Sequence, residues 1–307
     1  MLHGTRITTL ARLLLCSRGP FVLVLHGVPP ALSDQIPESH RPDLTVRDLR
    51  SILEWLRPRF AFLTVEECLA ARKPGVLLTF DDGFANNATT VLPLLEHFEA
   101  PAVFFVATQH VVAPRDWLHF VRQKVERWPD DAAQIPESVA SDLFDGMSLQ
   151  QLSQCAAHPL VTIGSHTVSH PTLTLCSDAD LLQELCESKR FLEETTGRPV
   201  DLLAYPRGEY DRRVVEAAAA SGYKTAFALD SRHLGIPRFE VPRVGLYGSH
   251  PAYLDSKLCG LHRRPLGPAL LDGRSRTPSS RDVRWGTAYG DVVGAPNHER
   301  SELRHRT

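Results

Sequence analysis

Four uninterrupted apolar runs constrain this chain more than any other feature. They are Phe21-Val22-Leu23-Val24-Leu25, Leu77-Leu78-Thr79-Phe80, Ala102-Val103-Phe104-Phe105-Val106 and Leu160-Val161-Thr162-Ile163. None carries a charge or alternates polar with apolar residues, so each reads as a strand buried on both faces, the habit of parallel α/β sheets. Helical patterns stand between them. Thr45 opens one with Val46, Leu49, Ile52, Leu53 and Leu56 on a single face, closed by Pro58. A second covers 64–71, with Glu66 and Glu67 in its first turn, and a third carries Val91, Leu92, Leu95 and Phe98. Ser177 caps a longer one whose Leu181, Leu185 and Leu192 share a face before Gly197 and Pro199 stop it. Further strands are expected at 60–63, 202–205, 225–229 and 241–247, and Asp211 caps a helix before the last two. This rhythm predicts an α/β fold, a barrel of parallel strands, with its chemistry at the C-terminal strand ends.

Of 307 residues, 43% are hydrophobic and 23% charged, an ordinary globular balance with enough chain for a large core. A formal net charge of -2 gives no electrostatic case for nucleic acid. Cys16, Cys68, Cys155, Cys176, Cys186 and Cys259 include no Cys-x-x-Cys pair and read as reduced thiols. No run reaches the roughly 18 apolar residues of a membrane span. Leu13-Leu14-Leu15 behind Arg12 is a weak signal-peptide candidate, so a cytoplasmic location is expected, with peripheral membrane association and an extracytoplasmic site left open. Residues 1–19 form an N-terminal segment, and 110–150 a long insertion with helical pieces. The Pro-, Gly-, Ser- and Arg-rich stretch 263–307 reads as a disordered tail.

The run 77–80 stops at Asp81-Asp82-Gly83. Adjacent carboxylates at a strand end point in different directions, so one can bind a metal while the other moves a proton; a polar turn explains the same residues equally well. His166 and His170 follow the strand at 160–164 with His-x-x-x-His spacing. On a helical turn both imidazoles would share a face within reach of one metal, although two surface or N-capping histidines have the same spacing. With Asp82 they make two His and one carboxylate, a ligand set that leaves positions open for water and substrate.

Thr79-Phe80-Asp81-Asp82-Gly83, His166-Thr167-Val168-Ser169-His170 and Tyr205-Pro206-Arg207-Gly208 occur in that order. They resemble the first three motifs of the NodB-like polysaccharide deacetylases, carbohydrate esterase family four, over about residues 20–262. The resemblance implies a distorted, incomplete (β/α) barrel and metal-dependent removal of acetyl groups, chiefly N-acetyl, from an acetylated amino-sugar glycan or glycan precursor. Asp81 would be the base and a metal-bound water the nucleophile, with Asp82, His166 and His170 holding a divalent metal, zinc by expectation. Tyr205, Pro206 and Arg207 would border the oxyanion and substrate, with the Arg207 N–H as donor. His26, in Leu23-Val24-Leu25-His26, resembles the acid of the branch acting on poly-N-acetylglucosamine; His250 and His262 fit that role poorly.

One departure stands out. The third motif ordinarily begins with an Arg that pairs with the catalytic Asp, and Ala204 occupies that position. Without a cation the carboxyl would drift to higher pKa. Arg243 or the side chain of Arg207 are the candidate replacements. Two other functions share these residues: a same-fold hydrolase of small amides or cyclic ureides, and a non-catalytic glycan-binding protein. Trp117 and Tyr205 as sugar-stacking aromatics would favour the glycan reading over the first, although core packing explains either ring equally well.

Overall fold

A computed structural model describes residues 20–32, 34, 41–70, 74–112 and 137–258. The expectations for 1–19, 263–307, Trp117 and His262 lie outside these. In chain order the elements are β1 (Pro20–Leu25), α1 (Val46–Leu56), β2 (Ala61–Phe62), α2 (Val65–Leu69), β3 (Gly75–Phe80), α3 (Leu92–Phe98), β4 (Ala102–Val106), α4 (Thr108–Val112), α5 (Glu137–Phe144), α6 (Leu149–Ala157), β5 (Val161–Ser165), α7 (Asp178–Thr196), β6 (Leu202–Ala204), α8 (Arg212–Ala220), β7 (Thr225–Ala228), β8 (Val241–Pro242), β9 (Val244–Gly245) and α9 (Pro251–Leu258). Among the described residues, no helix is long and apolar enough to cross a membrane.

All strand pairs are parallel, in the order β8-β7-β6-β5-β4-β3-β1-β9, with β2 added beside the start of β3. The apolar runs divide by parity. Val22, Leu77, Val103, Phe105, Leu202, Ala204, Phe227 and Val241 face the interior, where Leu63, Val65 and Cys68 join them near the beginning of β3. Leu23, Leu25, Leu78, Phe80, Phe104 and Val106 face outward into a layer with Leu49, Ile52, Leu95, Leu181, Leu185 and Val214 of the helices. Both faces are thus buried, which is why the runs never alternate.

The strand expected at 241–247 is two short strands, and the reason is closure. Val241 pairs with Phe227 of β7, whereas Val244 pairs with Leu23 of β1. One segment therefore serves both edges of the sheet and changes partner at Arg243, whose N–H donates to the Ala228 carbonyl at 2.9 Å. The barrel is nearly closed, and its seam passes through Arg243.

Helix starts follow local chemistry. Thr45 with Asp48, and Thr64 with Glu67, form reciprocal capping boxes, and Ser177 caps α7 through the Asp180 N–H. Before α3 the chain widens into a π-type turn (Asn87–Val91), where the Leu92 N–H reaches back to the Asn87 carbonyl and Pro93 brings no N–H to the following turn.

Candidate active site

Parity carries Asp81 to the mouth of the barrel. It continues the inward-facing series of Leu77 and Thr79, and its N–H donates to the Leu25 carbonyl at 2.9 Å, extending the β1 ladder by one residue. Asp82 then turns the chain with φ of +77°, and Gly83 follows at +82°. A Cβ at Gly83 would lie 2.9 Å from Val106 Cγ1, so this turn demands glycine there. Asp82 has no such freedom, and its left-handed backbone is held from outside. Its carbonyl accepts the Ala107 N–H at 3.4 Å and faces the buried Nδ1 of His110 at 3.1 Å. The other ring nitrogen of His110 lies 2.8 Å from the Phe144 carbonyl, tying the turn to α5.

Arg243 supplies the cation that Ala204 cannot. Its Nη1 and Nη2 donate to the two carboxylate oxygens of Asp81 at 2.6 and 2.8 Å, and Nη1 also reaches the Thr79 hydroxyl at 3.2 Å. The guanidinium lies over the Phe105 ring inside the barrel and is 1% exposed. Arg207 is exposed, with φ of +59°, so of the two candidates only Arg243 pairs with Asp81.

The neighbouring carboxyls titrate in opposite directions. Burial pushes the Asp81 carboxyl up, but the charge and hydrogen bonds of Arg243, aided by His166 and His26, overcome it and hold it at about 2. Asp82 has burial and the Asp81 charge acting together, and its carboxyl rises well above the ordinary value. Asp82 is therefore a buried carboxylate short of positive charge.

His166 and His170 come to Asp82 from β5. The Nε2 atoms of His166 and His170 lie 3.6 and 3.8 Å from Asp82 Oδ1, and ligand atoms of all three residues fall within 4.8 Å of one another. The His166 Nδ1–H donates to the Ala204 carbonyl at 2.8 Å, which leaves its Nε2 lone pair facing the carboxylates. Burial lowers both imidazoles, His166 to about 4, so both are neutral near pH 7. Two neutral imidazoles and an undercompensated carboxylate are the donors a divalent cation takes, and the set fits one.

The expectation that these histidines sit on a helical turn is corrected. The segment between them is a loop, with Thr167 at φ of +71° and His170 at +52°. The carbonyls of Thr167 and Val168 accept the N–H groups of Thr108 and Gln109 at the start of α4, so they cannot serve a helix of their own.

His26 stands half-buried at the end of β1. Burial lowers its imidazole, and the charges of Asp81 and Arg243 both act on it. Tyr205 does not line an opening. It is fully buried, stacked on Tyr210 with centroids 4.9 Å apart, and its hydroxyl donates to the Phe239 carbonyl at 3.1 Å. Its assignment as a substrate-contacting or sugar-stacking side chain is corrected: the ring faces away into the core, as β6 parity requires. Pro206, Arg207 and Gly208 form a tight turn in which Gly208 and Glu209 donate their N–H groups to Tyr205 and Pro206. The charge of Arg207 reaches His170 and helps keep it neutral. Sequence reasoning missed His110, whose only sequence signal is a lone histidine shortly after an apolar strand.

Residues 69–226 match the family model described as polysaccharide deacetylase. YxkH of Bacillus subtilis (strain 168), whose name places it with the polysaccharide deacetylases, is 22% identical over 250 residues, covering 76% of each chain. The poly-beta-1,6-N-acetyl-D-glucosamine N-deacetylase of Staphylococcus aureus (strain MSSA476) is 22% identical over 224 residues, covering 70% of this chain and 71% of its own. The fold is that of Streptococcus pyogenes deacetylase PplD, solved with acetate. There the TM-score is 0.60 at 19% identity, covering 79% of this chain and 99% of that one.

Proposed function

The chain belongs to the polysaccharide deacetylase family, carbohydrate esterase family four, and on that premise we propose that it hydrolyses N-acetyl groups of an amino-sugar glycan or glycan precursor with a divalent metal, zinc by expectation, held by Asp82, His166 and His170. The observation that carries this reading is the meeting of those three ligand atoms within 4.8 Å, directly beside an Asp81 kept ionised by Arg243. The name of the Staphylococcus aureus relative supports an N-acetylglucosamine polymer as the substrate class.

When bound, a divalent metal acidifies water and polarises an acetyl carbonyl. Asp81 is the proton acceptor for the attacking water. Its carboxylate is oriented by two hydrogen bonds from Arg243, so its ionisation does not depend on the pH of a physiological medium. His166 and His170, kept neutral by burial, offer lone pairs rather than protons. The Arg207 N–H, presented by the turn after β6, is the backbone donor for the developing oxyanion. His26 is the proton donor to the departing amine: burial leaves its imidazole neutral, so it passes on the proton that Asp81 has taken from the water, and Asp81 is left ionised again.

Acetate release from N-acetylglucosamine oligomers tests the reading. We expect release with added zinc, loss with chelator, and loss in Asp81→Asn. One bound metal equivalent with no acetate would overturn the substrate class, and no bound metal would overturn the ligand assignment.

A further inference from the structure

We propose that Glu184, in the middle of α7, is a positioning residue for the two histidines. The inference rests on the metal reading above and deepens it. The loop 166–170 makes none of the hydrogen bonds of regular structure between its own residues, so its shape depends on where each backbone N–H goes. His166 donates to the Val106 carbonyl at 2.9 Å, Thr167 to the Ser165 hydroxyl at 3.1 Å, and His170 to the Thr167 hydroxyl at 3.1 Å. The remaining two N–H groups, of Val168 and Ser169, both donate to Oε2 of Glu184, at 2.8 and 2.9 Å. The Ser169 hydroxyl donates to the other oxygen, Oε1, at 2.6 Å. One carboxylate thus takes three donors from two of the three residues lying between the ligands.

The same helix grips the loop a second time. The Ser165 hydroxyl, one residue before His166, donates to the Ser188 hydroxyl at 2.9 Å, and Ser188 donates in turn to the Glu184 carbonyl at 2.7 Å. Glu184 and Ser188 are one helical turn apart and bracket the loop from its two ends. Left-handed Thr167 and His170 are costly conformations for non-glycine residues, and persist only where the surroundings over-determine them. A carboxylate accepting consecutive N–H groups is the strongest restraint the loop has, because charge-assisted bonds are roughly twice as strong as neutral ones. Without it Val168 and Ser169 can turn outward, and the His166–His170 pair, now with ring centroids 4.7 Å apart, loses its spacing.

The test uses the full chain with zinc alone and with cobalt, comparing wild type, Glu184→Ala, Glu184→Gln and a control on the same helix, Leu192→Ala. Leu192 is fully buried and far along α7 from the loop, so it lowers stability without touching the ligands. We expect zinc affinity to fall about 10- to 100-fold in Glu184→Ala, the scale for outer partners of metal ligands. Glu184→Gln, which keeps acceptor capacity, should lose less. The visible d–d spectrum of the cobalt protein should change in both, kcat should fall with KM nearly constant, and Leu192→Ala should show a lower Tm with unchanged affinity and spectrum. Unchanged zinc affinity and cobalt spectrum in the Glu184 variants, beside a wild type that binds one equivalent, would overturn the positioning role alone. A wild type that binds no metal would overturn the ligand assignment itself and this inference with it.

Discussion

The two ends of the barrel are built on opposite terms. Where the strands begin, Leu63, Val65 and Cys68 plug the interior with apolar side chains, and the Thr64–Glu67 box starts the helix beside it by local chemistry. Where the strands finish, four non-glycine residues, Asp82, Thr167, His170 and Arg207, take left-handed backbone, and charged groups are buried among one another. The first end obeys local preference and holds the fold together. The second violates it and is held in shape by side chains from elsewhere: Arg243, His110 and Glu184. Left-handed non-glycine backbone also occurs singly at Glu99, which caps α3 just before β4, and at His233, but it clusters where the chemistry is, which is where a functional fold is expected to depart from local preference.

Substitutions at the two ends should therefore separate activity from stability. The largest effect belongs to Arg243→Met. Removing one partner of a buried pair leaves Asp81 uncompensated, at a cost of about 3–5 kcal/mol, and activity should fall with stability. The pH dependence gives the sign. Asp81 has a folded pKa of about 2, below its ordinary value, so the stability it contributes is present above the ordinary carboxylate range and lost as pH falls through about 2. Denaturant titrations between neutral pH and pH 2 should show this acid loss in wild type and a much smaller one in Arg243→Met. An equal slope in both would remove Arg243 as the group that depresses Asp81.

Next in size is Leu63→Ala at the opposite end. A cavity in the apolar plug should lower stability by about 2–5 kcal/mol, read as a lower Tm, while zinc affinity and the kcat of the folded fraction stay as in wild type. A large change in metal affinity would show that the two ends are mechanically coupled. Smallest is Thr64→Ala, which removes one cap and should cost about 1 kcal/mol with no kinetic change. A loss of acetate release from this variant, at a temperature where it remains folded, would break the comparison altogether.

Much of the fold was legible because parallel strands buried on both faces have to be apolar throughout, and the caps at Thr45, Thr64, Ser177 and Asp211 are local signals. The split at Arg243 was not. Nothing in Val241-Pro242-Arg243-Val244-Gly245 says that hydrogen bonds leave one edge of a sheet and join the other. Likewise the spacing of His166 and His170 suggested a helical turn, whereas the carbonyls between them are taken by α4, a partner nearly sixty residues earlier in the chain. For Tyr205 the sequence left a sugar-stacking ring and a core ring equally open, and parity together with Tyr210 puts it in the core.

By itself the sequence determined the residue types of the site and the strand ends that carry them, since apolar runs and the carboxylates and imidazoles that end them are properties of short segments. Tertiary structure decided which cation serves Asp81, because Arg243 lies 162 residues away and reaches it only when the barrel closes. It also decided that Asp81 and Asp82, neighbours in the chain, titrate apart. Their pKa values depend on distance to charge in a medium without water, and that distance does not exist until the chain has folded.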